Sequence, residues 1–497
     1  MPDEVLTIVM QHVPLKDRLT SCCLVNKRLH AASVAATQEI VVGGYWDTST
    51  ADKVIVSGIP SAHSFQQWLH HYGQQLTNLE LLHFCQPLQQ LPCPNLLELT
   101  LKSCSVQLGP SAAGFPGVIQ SCTKLTEVVM QCDIIDAPMG AAVDIFSTLV
   151  HLEGLHINLT DPNGFGLSCS SLPLLTRLTS LTAHNLAAEN LAQLGFLTNL
   201  LDLGLLGYSI SGIGPSSVPG LVLPASITSL DLRITMQPAI LSLVPTGLRS
   251  LWIECAVHGP AEGPDSFLSG MARLQQLTQL YLETRGSRNW PPPGPAYSAL
   301  TASSNLACLV LKFSDPPGRV WSLMFPAAHK LPHLKYLYVN IESDFGGSGS
   351  PSEWVSGHVS SLVSCCPNLC LIDELDMQLG PHVSELHKLT ALTKLRAMYG
   401  SGDLPACQQS LRGLAALTQL RELSFEFSAE VTVASLLPLT SLTALTEFEC
   451  HWQPGLDIGE DDADFSFKQE VSTNPLLLVP TPRDGGVDCH SAALQPL

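Results

Sequence analysis

The spacing of leucine along the chain constrains its fold more than any other feature. From Leu96 to Cys104, after a leading Asn95, the residues read LLELTLKSC, with apolar side chains at Leu96, Leu99, Leu101 and Cys104. Extended backbone sends alternate side chains to opposite faces, so Leu99 and Leu101 enter one core while Glu98, Thr100 and Lys102 face the other way. The segment is a short, one-sided strand.

The frame recurs at Leu76-Leu79-Leu81, Leu125-Val128-Met130, Leu152-Leu155-Ile157, Leu178-Leu181-Ala183, Leu200-Leu203-Leu205, Ile227-Leu230-Leu232 and Leu248-Leu251-Ile253. It continues at Leu277-Leu280-Leu282, Leu306-Leu309-Leu311, Leu334-Leu337-Val339, Ile372-Leu375-Met377, Leu392-Leu395-Ala397, Leu420-Leu423-Phe425 and Leu445-Phe448-Cys450. There are fifteen units, starting 20 to 38 residues apart and mostly 25 to 29. One unit cannot fold alone: a buried Leu contributes about 1.5–3 kcal/mol, against roughly 1–2 kcal/mol of entropy per ordered backbone residue. Stacking on neighbours supplies the missing burial.

This period and pattern resemble the leucine-rich repeat family over Leu76 to Gln453. The resemblance implies an α/β solenoid, a horseshoe with a concave parallel sheet and convex helices and turns. The family's Asn or Cys eight places after the first Leu survives at Cys104 but is Phe84, Asp133, Thr160, Tyr208, Arg285 or Glu342 elsewhere, so its side-chain ladder is not expected in most units. Helical spacing at Ala141 to Ser147, Phe267 to Leu277, Val355 to Cys365, His382 to Leu389 and Cys407 to Leu417 predicts the convex elements.

In such a solenoid the side chains two, four, six and seven places after the first Leu face the concave surface. At the fourth place, successive units present Trp252, Tyr281, Val310 and Tyr338, with Tyr336 and Phe313 beside them. Arg233, Glu254, Glu283 and Lys312 form a mixed charged rim. Aromatic rows of this kind dominate binding energy when a partner covers them, although they also stabilise cross-strand packing on their own. Lys394 and Arg396, near Glu422, Glu426, Glu447 and Glu449, read as a solvated surface.

Residues 1–40 lack the strand frame and read as three short helices. Pro2, Asp3 and Glu4 favour a helix start, Val5, Leu6, Val9 and Val13 make one stripe, and Pro14 ends it. A second helix follows from Asp17 to Leu24, and Asn26 can cap a third. So small a bundle needs a partner surface. The Pro-Asp-Glu opening, Val13-Pro14, Leu15-Lys16-Asp17 and the Leu-Val-x-Lys-Arg run from Leu24 to Arg28 resemble an F-box, with Met1 in place of the usual Leu and Leu29 in place of a frequent Trp. The resemblance implies docking on a Skp-type adaptor, and through it a cullin-RING ubiquitin ligase, by Pro2, Val5, Leu6, Val9, Val13, Pro14, Leu19, Leu24, Val25 and Leu29. A helical cap over the first repeat is the alternative reading, and the two are compatible.

Residues 41–75 form a connector with short strands at Val41-Val42 and Val54-Ile55-Val56, a helix from Phe65 to Tyr72, and room for a degenerate first repeat. Gly286 to Ala296 and Ser343 to Ser352 read as projecting loops or spacers. Residues 454–470 are an acidic cap, with Asp461 to Phe467 placed to cover the last strand, and residues 471–497 read as a disordered tail.

A net charge of -19 argues against nucleic acid as a partner and favours a basic or neutral one. The start lacks a basic leader followed by an apolar run, and the longest charge-free stretch, Leu203 to Leu230, is broken by Gly, Ser and Pro. The sixteen cysteines therefore read as small apolar core residues in a reducing compartment, cytoplasmic or nuclear, with no membrane contact. No P-loop, dinucleotide fingerprint, HExxH or paired CxxC supports a cofactor, a metal or intrinsic catalysis. His71, His83, His156 and His184 can approach one another without forming a nucleophile-base pair. The expected role is a non-catalytic receptor that binds a protein substrate on its concave face. The alternative is a leucine-rich repeat scaffold in the cytosol or on a cytoskeletal structure such as an axoneme; small-ligand sensing would need a polar-lined pocket.

Overall fold

The structure, a computed structural model, describes residues 39–43, 55–56, 66–67, 69–71, 73–82, 91–107, 119, 121–135, 148–160, 172–184, 186, 191–207, 222–233, 238–256, 268, 270–285, 295–313, 320–326, 328–341, 356–376, 381–398, 404–427, 436–452 and 465–470. The chain divides into two compact units, Met1–Ile234 and Thr235–Leu497.

In the first unit, β1 (Glu39–Gly43) and β2 (Ile55–Val56) precede the repeat strands β3 (Asn78–Leu82), β4 (Glu98–Gln107), β5 (Glu127–Ile135), β6 (Gly154–Thr160), β7 (Ser180–His184), β8 (Asp202–Leu206) and β9 (Ser229–Arg233). Each repeat strand runs parallel to the one before, and the register carries the frame: Leu79, Leu99, Val128, Leu155, Leu181, Leu203 and Leu230 stand level. β1 joins the same frame, pairing Ile40 with Leu79 and Val42 with Leu81, so the connector supplies an extra strand.

In the second unit the repeat strands are β10 (Ser250–Ala256), β11 (Gln279–Arg285), β12 (Cys308–Phe313), β13 (Tyr336–Ile341), β14 (Leu371–Asp376), β15 (Lys394–Met398), β16 (Glu422–Phe427) and β17 (Glu447–Trp452), again parallel and in order. The strand after them, β18 (Phe465–Glu470), pairs with β17 antiparallel. The expected cap over Asp461 to Phe467 is therefore an edge strand that starts four residues later. α1 (Val320–Met324), α2 (Ser356–Cys365), α3 (Leu404–Leu414) and short 3-10 helices at Pro295–Thr301, Pro381–Lys388 and Leu437–Ser441 return the chain between strands. The 3-10 turn at Pro295–Thr301 takes in Pro295 and Ala296, the last two residues of the segment read as a projecting loop, and buries Tyr297 just after it; residues 286–294 lie outside the described residues.

Burial follows the frame. Leu76, Leu79, Leu81, Leu99, Leu101, Leu309, Leu311 and Leu337 are all fully buried, and Ala183 is buried where the frame places an Ala. Cys93, Cys104, Cys122, Cys132, Cys365 and Cys366 are buried as free thiols. Burial pushes the Cys122 thiol up to about 11, and that of Cys93, with the neighbouring Cys122, to about 12, so both stay protonated and inert.

Hydrogen bonds outside the strands fix the stacking. The carbonyl one place after the first Leu accepts two backbone N–H groups from the next repeat: Leu97 accepts from Thr126 and Glu127 at 2.8 and 3.0 Å, and Arg249 from Thr278 and Gln279 at 2.7 and 3.0 Å. Where that following residue is Thr, its hydroxyl donates to the same oxygen, as Thr179 does to Glu153 (3.0 Å), Thr278 to Arg249 (3.0 Å) and Thr446 to Arg421 (3.0 Å). Asn just before the first Leu is a second tie: Asn95, Asn199, Asn305 and Asn368 donate to the carbonyls of Gln74, Thr176, Gln275 and Pro332 in the preceding repeat, at 2.7, 2.8, 3.3 and 2.8 Å. The family ladder position is also used twice, since the thiols of Cys104 and Cys132 donate to Leu81 and Leu101 at 3.3 and 3.7 Å.

Two bulges change the frame read from sequence. In β4, Ser103 is inserted with φ 51°, so Cys104 stands level with Cys132 rather than with Asp133. In the unit after Leu334, the first Leu is Leu369, because Ile372 pairs with Leu337. The frame at Ile372-Leu375-Met377 is therefore three residues late. A regular strand would bring Glu374 to the third apolar place, where an ionised carboxylate is costly; a one-residue bulge instead brings Leu375 level with Ala397.

The left-handed backbone at Ser103 is disfavoured for side chains branched at Cβ. Ser103→Val is expected to destabilise the fold by about 1–3 kcal/mol and Ser103→Gly to leave it unchanged or slightly more stable. Chemical denaturation of the two variants checks this.

Candidate functional site: the open face of the repeat strands

The non-core face of β10 to β14 gathers four aromatic side chains of the second unit, Trp252, Tyr281, Tyr336 and Tyr338. Register puts Trp252, Tyr281, Val310 and Tyr338 in one row, as the spacing predicts, and extends the row to Asp373. The indole of Trp252 stacks on Tyr281, with ring centroids 3.9 Å apart and planes at 28°. Two places further along each strand lie Glu254, Glu283 and Lys312, also level with one another.

These residues are bound together as well as adjacent. The Tyr281 hydroxyl donates to Glu283 at 2.7 Å, and Lys312 Nζ lies 3.8 Å from the same carboxylate. The ammonium stands between two rings, 5.7 Å from the centroid of Tyr281 and 5.6 Å from that of Tyr338. Val310 carries Lys312 on its own strand and, being short, leaves the space between the two tyrosines that the lysine spans. Burial raises the Tyr281 phenol above the ordinary tyrosine range, and its hydrogen bond to Glu283 reinforces the neutral form. Tyr336 donates to Asp373 at 3.4 Å.

Asp373 is the residue that sequence reasoning missed. The late frame in that unit took it out of the row, although Pro367-Asn368-Leu369 repeats Pro94-Asn95-Leu96 and could have restored the frame. Phe313 lies on β12, its side chain outside the described residues. Arg233 belongs to the first unit, where it grips Asp231 on its own strand by two bonds, of 3.1 and 3.0 Å. Lys394 pairs with Glu422 at 2.8 Å, both about 40 % exposed, as expected of a solvated surface. The ten candidate adaptor contacts from Pro2 to Leu29, and His83, lie outside the described residues.

On the first unit's open face, Lys102 pairs with Glu80 at 3.2 Å, and His156 and His184 meet edge to face with ring centroids 6.3 Å apart. Gln131 approaches His156 Nε2 at 3.4 Å. His71 instead contacts the Gln67 carbonyl on its own helical turn. Among the described residues, no three His, Cys, Asp or Glu side chains converge as a metal site, and no helix is long and apolar enough to cross a membrane.

One comparison with known proteins identifies the N-terminal segment. Residues 1–34 match the F-box domain family. The chain thus joins a segment that matches the F-box domain family to the leucine-framed parallel repeats described above. Among solved structures, similarity extends to a leucine-rich repeat protein of Leptospira interrogans at 13% identity, covering 88% of this chain and 96% of that one, TM-score 0.44. An internalin of Listeria monocytogenes is 18% identical, covering 69% and 83%, TM-score 0.38. The leucine-rich repeat ectodomain of an Arabidopsis receptor kinase, solved with a peptide hormone, is 14% identical, covering 82% and 72%, TM-score 0.27. No curated protein matches the chain.

The histidine pair on the first unit makes a pH prediction. Burial holds both imidazoles below the ordinary histidine range, helped by Lys102 at His156 and by His156 and Arg233 at His184. The fold therefore favours the neutral rings, whereas the unfolded chain takes up protons as pH falls below about 6.5. Stability contributed by this preference is present above that value and is lost as pH falls through it. Replacing His156 and His184 together with Asn is expected to flatten the fall in denaturation midpoint between about pH 7.5 and pH 5.5.

Proposed function

We propose that the protein is the substrate-receptor subunit of a Skp-cullin-F-box type ubiquitin ligase. The observation that carries this reading is the F-box match at residues 1–34 on the same chain as a repeat face that gathers Trp252, Tyr281 and Tyr338. In this reading the F-box helices bind the Skp-type adaptor through Pro2, Val5, Leu6, Val9, Val13, Pro14, Leu19, Leu24, Val25 and Leu29. The open face of the second unit binds the target protein through Trp252, Tyr281, Val310, Tyr336 and Tyr338, with Glu254, Glu283 and Lys312 around them; Arg233, on the first unit, is a separate candidate contact. Ubiquitin transfer is performed by the other subunits, so the chain needs no cofactor and no catalytic group of its own.

Large aromatic side chains on a sheet face support this role because they offer wide contact area at small entropic cost, and the charged groups beside them select among partners. The strong negative charge of the whole chain favours targets with basic surfaces.

The direct test is capture of a purified Skp-type adaptor by the full chain. Wild-type protein is expected to retain the adaptor, and a triple variant with Pro2, Leu6 and Val13 changed to Asp is expected to lose it by tenfold or more (about 1.4 kcal/mol or above) while keeping its denaturation midpoint. Wild-type protein that ignores the adaptor would overturn the assignment.

A further inference from the structure

The bulge at Ser103 sets two thiols side by side. Without the inserted residue Cys104 would stand level with Asp133; with it, Cys104 stands level with Cys132 on the adjacent parallel strand. Level neighbours lie about 4.8 Å apart, inside the range of Cα separations that a disulfide spans. A bulge also loosens the ladder and re-aims the side chain beside it, which gives Cys104 room to turn toward its neighbour. Cys132 already leans that way, since its thiol donates to the Leu101 carbonyl on β4, the strand that carries Cys104, at 3.7 Å. Cys104 donates to Leu81 on β3 at 3.3 Å and to Lys102 of its own strand at 3.4 Å. Thiols are weak donors, so turning either one away from its carbonyl costs little.

We propose that Cys104 and Cys132 are a peroxide-oxidisable pair that forms a reversible disulfide and staples β4 to β5. The two are thiols in the structure, and access singles them out: Cys93, Cys122, Cys365 and Cys366 are fully buried, whereas Cys104 and Cys132 each keep 2 % of exposure. Cys93 and Cys122 belong to the same two repeats and sense one another electrically, but burial pushes their thiols up to about 12 and about 11, which withholds the thiolate that oxidation needs. In the oxidation, one thiolate sulfur attacks an oxygen of hydrogen peroxide, the O–O bond breaks, and a sulfenic acid and water result. The second thiol then attacks that sulfur, the S–O bond breaks, and a second water leaves as the S–S bond forms. Two thiols give up two electrons and two protons, and one peroxide is reduced to two waters. The bond joins repeats that hold each other folded by stacking, so oxidation stabilises the first unit and reduction reverses the gain. The inference is independent of the receptor reading.

The test uses the full chain, fully reduced, freed of reductant and exposed near neutral pH to a small molar excess of hydrogen peroxide. Remaining thiols are blocked under denaturing conditions, and the chain is digested without reductant. Mass spectrometry is expected to find Cys104 joined to Cys132 in most molecules, with Cys93 and Cys122 carrying the blocking label. The denaturation midpoint of the wild-type chain is expected to rise on oxidation and to return after dithiothreitol. Cys104→Ala and Cys132→Ala, each compared with itself before and after peroxide, are expected to lose that rise. The cross-link is read on the unsubstituted chain, so it decides the matter even where an alanine variant folds poorly. Separately labelled thiols at 104 and 132, a preferred cross-link of either to another cysteine, or a midpoint rise that survives in both variants would overturn the proposal.

Discussion

Within each unit, everything rests on one constraint: the two apolar side chains at alternate places of a repeat must stand level with those of the repeats on either side. A single repeat buries too little to hold itself together, so the leucines of neighbouring strands have to share one dry seam. The carbonyl after the first Leu enforces this. Because it accepts two N–H groups from the next repeat, and a Thr hydroxyl where one is present, a slip of even one residue would break several bonds at once. It would also turn every leucine of that strand to water.

The same constraint creates the surface proposed for binding. If core side chains stand level, so do their alternate neighbours, and chemistry written 25 to 30 residues apart in sequence becomes a row a few ångströms apart. Trp252 reaches Tyr281 in this way, and Lys312 reaches the rings of strands on both sides of its own. The row's residues lie outside the buried frame, so the apolar spacing does not dictate which side chains they are. The proposed receptor role needs that separation of stability from specificity.

Most of this was legible in the sequence because period two within a strand and period twenty-odd between strands are both carried by leucine. Trp252, Tyr281, Val310 and Tyr338 were placed correctly by counting alone. The errors came where backbone irregularity intervenes. An extra residue at Ser103 moved the thiol ladder to Cys132, and a second extra residue in β14 carried the chain past Glu374, which drew the sequence frame three residues too late and hid Asp373. The Asn and Thr ties between repeats were also invisible as such, since a short polar residue beside a strand reads as a turn until its acceptor on the previous repeat is known. Charge pairing was the least legible: nothing in the spacing shows Arg233 committed to Asp231 or Lys312 held between two tyrosines.

The native thiol of Cys308 offers the most direct measurement of the level alignment on which these conclusions depend. Gln279 stands opposite it on the adjacent strand and on the same open face, whereas Leu280, one residue along, faces the core. Strand separation of about 4.8 Å falls within the range that a disulfide spans. After mild oxidation and proteolysis of Gln279→Cys, mass spectrometry is expected to find the residue 279 to Cys308 cross-link. A Leu280→Cys variant that links to Cys308 instead, or a position 279 thiol that stays free, would mean that the strands do not stand level and that the row on their open face does not exist.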